Sequence, residues 1–201
     1  MIRTKLTLLA FLVLPFIASA DPTSEIQSTF NNLDQAVLNK NAQEAFSQLS
    51  KESQAYVENI LQLALTADKA TLSEKPISTI LSVFAIRKEA KGKAPTSAAD
   101  ALILMSEDYA KISSNVSLGE ITIDGDEANA QMIMNGKVSP MDYAFVKEDG
   151  SWKVDLIEQM QATEKLMSQS MGATGAPRKM ILDQMARVSQ SAGVNVWTPL
   201  Q

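Results

Sequence analysis

From Ser24 onward, the apolar positions Ile26, Phe30, Leu33 and Val37 recur at steps of four, three and four, the spacing of one face of an amphipathic helix. Asn39 to Asn41 ends that run. A short helix carrying Ala45, Phe46 and Leu49 leads to Ser50-Lys51-Glu52, after which Tyr56, Ile60, Leu63 and Ala67 trace a second stripe. Following a break at 71–75, Pro76 precedes a helix with Ile77, Ile80, Leu81 and Phe84. Gly92 and Pro95 make 90–97 a loop, and Thr96 or Ser97 stands where the next helix needs its N-cap. Leu102, Met105, Tyr109 and Ile112 then share one face.

After Ser114 the period falls to two. Val116, Leu118, Ile121 and Ile123 run into the turn Asp124-Gly125-Asp126, and Ala128, Ala130, Met132 and Met134 alternate with polar residues up to Asn135-Gly136, a hairpin signal. Pro140 makes the start of the next strand irregular before Met141, Tyr143 and Phe145, and Glu148-Asp149-Gly150 turns the chain into Trp152, Val154 and Leu156. This meander is expected to lay one apolar face on the helices and a more polar one outward. Leu156, Met160, Thr163, Met167 and Met171 form a further helical stripe, interrupted by Gly172 to Ala176. Pro177 opens a last helix with Ile181, Met185 and Val188, which Gly193 ends. Helices, then an antiparallel meander, then helices describe an α+β fold: N-terminal helices on a curved antiparallel sheet forming a cone, with a C-terminal helical extension.

The stretches Asn41-Ala42-Gln43-Glu44-Ala45-Phe46 and Ser50-Lys51-Glu52-Ser53 carry a resemblance, as do Ile121-Thr122-Ile123-Asp124-Gly125 and the hairpin from Phe145 to Leu156. Over residues 24–158 the chain resembles the nuclear transport factor 2-like superfamily, and within it the uncharacterised exported bacterial members. The likeness implies a domain over 21–158 with an internal pocket between sheet and helices, and an added helical segment over 159–201 packed on it. It is weak evidence for function, because that superfamily holds isomerases, dehydratases, ligand binders, transport adaptors and oligomerisation modules. Its enzymes often use an Asp base with Tyr or acid hydrogen-bond donors, or a His-Asp pair. The pocket wall would be Met132, Tyr143, Phe145 and Trp152 from the sheet with Tyr109 and Tyr56 from the helices. By strict alternation Asp142 and Asp155 point away from the Tyr143 and Trp152 face.

Composition removes several chemistries. The chain has no histidine and no cysteine, which excludes His-based triads and general bases, disulfides, thiol catalysis and thiolate metal sites. The methionines invite a copper reading through Met160, Met167 and Met171, yet Met at helical spacing is the usual filler of a buried face, so no cofactor is expected. Arg3 and Lys5 precede an apolar run from Leu6 to Ile17 and then Ala18-Ser19-Ala20, the pattern of a cleaved secretory signal over residues 1–20. That run is too short to span a bilayer. Cleavage removes two cations and no acid, shifting the formal charge from -5 to -7, which opposes nucleic-acid binding. Arg87, Lys88, Lys91 and Lys93 read as the cationic end of a helix and the loop after it.

The expected protein is a soluble periplasmic or secreted bacterial one. Its preferred reading is a non-catalytic module for a small apolar ligand or an envelope protein partner. The alternative is a small cofactor-free isomerase or dehydratase using Asp and Tyr in the cone. The apolar tail ending in Trp197 and Leu200 is expected to be docked, on its own domain or on a second copy in a symmetric dimer. Exported protein is predicted to begin at Asp21. An intact mass that retains residues 1–20 would contradict this.

Overall fold

A computed structural model describes residues 21–174, 177–190 and 193–200, so the signal-like segment and its cleavage point lie outside the described residues. Among the described residues six helices come first: α1 Pro22–Leu38, α2 Ala42–Ser47, α3 Lys51–Thr66, α4 Lys69–Ser73, α5 Ile77–Ala90 and α6 Ala98–Met105. The four-residue α7, Glu107–Ala110, and a 3-10 turn at Ser113–Asn115 lead into the strands β1 Val116–Asp124, β2 Glu127–Met134, β3 Lys137–Glu148 and β4 Ser151–Asp155. Helices α8, Leu156–Thr174, and α9, Arg178–Gln190, follow. The fold is α+β, with an open antiparallel sheet in the order β1-β2-β3-β4. Among the described residues no helix is long and apolar enough to cross a membrane.

Local chemistry explains the boundaries. Ser97 Oγ accepts the Asp100 amide at 3.1 Å and so caps α6, while Ser50 Oγ does the same for Ser53 on α3. Asn135 and Gly136 have φ of 52° and 73°, and Asp149 and Gly150 have 50° and 80°. Paired positive φ values in two-residue loops match the twist of the strands they join. Pro140 sits where the β2–β3 register shifts: Gln131 pairs with Asp142 and Ile133 with Val138, so residues 139–141 stand opposite Met132 alone. A residue without an N–H fits such a bulge. The cross-strand line Ala128, Phe145 and Val154 lies on the inward face. There α1 and α3 pack against β4, and α8 against β3.

Helix α5 is central. It packs on α3, α6, α8 and α9, and buries residues around most of its circumference, Ser78, Thr79 and Ser82 among them. Several sequence-based expectations need correction here. The buried stripe of α3 is Val57, Ile60, Leu61 and Ala64, leaving Tyr56 and Leu63 half-buried at its margin. Ile112 does not continue the α6 face, because Ser106 ends that helix by returning its hydroxyl to Leu102 O at 2.8 Å, and Ile112 is exposed. Helix α8 runs through Gly172 to Thr174. On α9 the buried residues are Leu182 and Ala186, whereas Val188 is 70% exposed.

Trp152 is 3% exposed on the inward face of β4, the edge strand that α1 and α3 cover. Trp152→Ala is predicted to destabilise the protein by about 3 to 5 kcal/mol in denaturant melts. A loss below about 1 kcal/mol would be incompatible with this packing.

Candidate functional site

Strand alternation brings Met132, Tyr143, Phe145 and Trp152 together on the inward face, each at most 6% exposed. The rings touch one another and the helices: Phe30 of α1 meets Tyr143 edge-on with centroids 5.1 Å apart, and Tyr143 and Phe145 are 6.5 Å apart. Lys147 Nζ lies 5.8 Å from the centre of the Trp152 ring, whose buried Nε1 has no hydrogen-bond partner among the described residues. Tyr109 of α7 joins this group, and it brings a carboxylate that periodicity alone did not single out. Its hydroxyl donates to Asp34 Oδ1 of α1 at 3.1 Å. Burial raises the pKa of both Tyr109 and Tyr143; their mutual contact pushes Tyr109 further up and draws Tyr143 down. Both are neutral phenols near pH 7. The signal for Asp34 was its place four residues after Phe30 and three before Val37, inside the apolar stripe of α1.

The other predicted residues fall elsewhere. Tyr56 stands between α3, α5 and α8, beside Ser78, Thr79 and Glu164, and apart from the sheet's rings. Burial raises its pKa, and the nearby Ser82 and Thr79 hydroxyls oppose this, yet neither makes a well-aligned hydrogen bond to its buried Oη. Asp155 is half-buried and structural: its Oδ1 accepts from Ser53 Oγ at 3.2 Å and from the Ile157 amide at 2.8 Å, at the start of α8. Asp142 is exposed.

The strongest polar centre lies on α5. Arg87, expected among surface cations, is fully buried. It follows Ile80, Val83 and Phe84 at helical spacing, so the backbone aims it inward with the apolar stripe. Its Nε donates to Ala64 O at 3.0 Å, and its Nη2 donates to Leu63 O at 2.9 Å and Ala67 O at 2.6 Å. Nη1 donates to Val196 O at 3.0 Å. The first three acceptors are at the C-terminal end of α3 and carry the negative end of its dipole; Leu63 O still accepts the Ala67 amide, whereas the Ala64 and Ala67 carbonyls lie beyond the last helical donor. Burial lowers the guanidinium to about 10, so it remains a cation at neutral pH.

The fourth acceptor belongs to the tail, which is docked on its own chain. Val196 and Leu200 are buried, and the Leu200 amide donates to Ala64 O at 3.1 Å. Trp197 sits between Phe84, edge-on at 4.8 Å, and Lys69 Nζ, 4.6 Å from its ring centre. A groove of about 790 Å³ runs between this tail and the C-terminal turn of α5. No family model matches the chain, and no curated protein or solved structure matches it either.

Removing the guanidinium takes a donor from four carbonyls; Leu63 O keeps the Ala67 amide and Ala64 O the Leu200 amide, so Ala67 O and Val196 O are stranded, at about 1 to 3 kcal/mol each if left unpaired and dry. Arg87→Met is predicted to cost at least about 2 kcal/mol and to lower Tm by at least about 4 °C. Arg87→Lys should recover little, since an ammonium cannot reproduce the fork. Wild-type stability in Arg87→Met, measured by thermal melts, would contradict the arrangement.

Proposed function

We propose that the chain is an exported, non-catalytic binding module of the nuclear transport factor 2-like kind, taking a small amphipathic ligand or an envelope protein partner. The run of residues 1–20 supports export, and helices followed by an open meander with tight hairpins are in keeping with that superfamily. The observation that carries the non-catalytic reading is the state of the inward face. Met132, Tyr143, Phe145 and Trp152 fill one another's surroundings, and the Tyr109 hydroxyl beside them is already committed to Asp34. A reacting group needs space and an uncommitted proton acceptor at the same point. Open volume lies in the tail groove, and in a second groove of about 430 Å³ between α1 and β4 that reaches Trp152 from outside the ring cluster.

A second reading keeps one specific observation: Asp34, Tyr109 and Tyr143 place a carboxylate against two phenols, the ingredients of cofactor-free acid-base chemistry. The two are separated by native mass spectrometry of protein taken from its own compartment. The binding module is predicted to carry a bound small molecule or a stoichiometric partner. A bare chain, together with an isomerase or dehydratase activity abolished by Asp34→Asn but kept by Lys91→Glu, would replace it with the enzyme.

A further inference from the structure

The groove beside the tail has an unusual floor. Arg87 lines it, fully buried, and forms no ion pair among the described residues; its four acceptors are all neutral carbonyls. Opposing its charge is the partial negative end of α3, equivalent to about half an elementary charge. One Nη1 hydrogen has no acceptor among the described residues, where four of the guanidinium's five N–H groups are used. Lys88 and Lys91 stand on the same groove. Its acid, Glu89, is held by Lys88 at 3.0 Å, which leaves the exposed Lys91 without a salt bridge among the described residues. The carbonyl end of α5 subtracts from this positive field, so Lys91 is the charge that decides its sign. The facing wall presents Val194, Pro199 and Leu200 of the tail, with the polar Asn195 and Thr198 among them.

An exposed cation and a buried one on the same groove, facing the apolar side chains of Val194, Pro199 and Leu200, are complementary to an anionic head with a hydrocarbon chain. In a chain of net charge -5, or -7 after loss of residues 1–20, a local excess of cations beside an apolar surface is not a consequence of composition. We infer that the groove between the C-terminal turn of α5 and the tail binds an anionic amphiphile, with the head at Lys91 and the chain along Val194, Pro199 and Leu200. This rests on the binding-module reading and names its ligand class. The head is a carboxylate if the ligand is a free fatty acid and a phosphate if it is a lipid presented by a membrane.

Titration of the whole protein with monomeric oleate, octanoate and oleyl alcohol, and co-sedimentation with phosphatidylglycerol vesicles, test it together. Oleate is expected to bind, with octanoate weaker because its chain is shorter and oleyl alcohol weaker because it lacks the charge. Lys91→Glu, a change at an exposed position, should weaken oleate by about fivefold or more through charge reversal. Vesicle binding that is sensitive to Lys91→Glu, without oleate binding, would support the same site and assign the head to a lipid phosphate. Three results overturn the inference: no binding of oleate or vesicles, equal binding of oleyl alcohol, or an affinity unchanged in Lys91→Glu. If one of them occurs while native mass spectrometry shows a different bound molecule, the binding-module reading stands and only this ligand class falls.

Discussion

A charged guanidinium buried among main-chain carbonyls joins three parts of this molecule that are distant in sequence. Moving an ion out of water costs several kcal/mol unless its hydrogen-bonding groups are satisfied, and here four of the five N–H donors of Arg87 are met by Leu63, Ala64, Ala67 and Val196. The dependence runs both ways. Helix α3 ends at Thr66 without a glycine, and Ala67 is extended, so its final carbonyls need outside donors. Arg87 and the Leu200 amide supply them. The tail therefore completes the capping of an internal helix.

The same geometry explains why α5 can be central. A helix buried on most sides cannot be strongly amphipathic, and the sequence of α5 mixes Ile77, Ile80, Val83 and Ile86 with the buried hydroxyls of Ser78, Thr79 and Ser82. Ser82 returns its hydroxyl to Ser78 O at 3.1 Å, while Glu164 of α8 accepts the Ser78 amide at 2.9 Å. The Ser82 hydroxyl and the Ser78 amide are thus satisfied locally and by a neighbouring helix, as a dry interior requires. On the sheet side, β4 is fixed to the helical layer by main-chain bonds from Ser50 to Val154 O and from Val154 to Gln48 O. These hold the inward rings against α1, where Tyr109 reaches Asp34.

Much of the fold was legible because its signals are local. The meander, its two-residue turns, the bulge at Pro140 and the Ser97 cap each follow from a few adjacent residues. The inward face followed from parity, which brought Met132, Tyr143, Phe145 and Trp152 together. Helix faces were read less well. The α3 stripe was placed one residue off its centre, and the α9 stripe was assigned to Val188 in place of Leu182 and Ala186, since short helices with several apolar residues admit more than one face. Arg87 was misplaced for a different reason. Its neighbours Lys88, Lys91 and Lys93 suggested a solvated cationic end, and only the tertiary approach of α3 and residues 194–200 turns an arginine at a stripe position into a buried cap. Asp34 was hidden likewise, as its partner Tyr109 is 75 residues away.

The central claim is that the tail is an integral part of the fold, held through Arg87. Amide hydrogen exchange at Leu200 tests it most directly, because that N–H donates to Ala64 O beside the guanidinium. Leu200 is predicted to exchange only with large-scale opening in the wild-type protein and to lose most of that protection in Arg87→Met. Exchange of the wild-type Leu200 amide at the rate of an unstructured peptide would contradict the account.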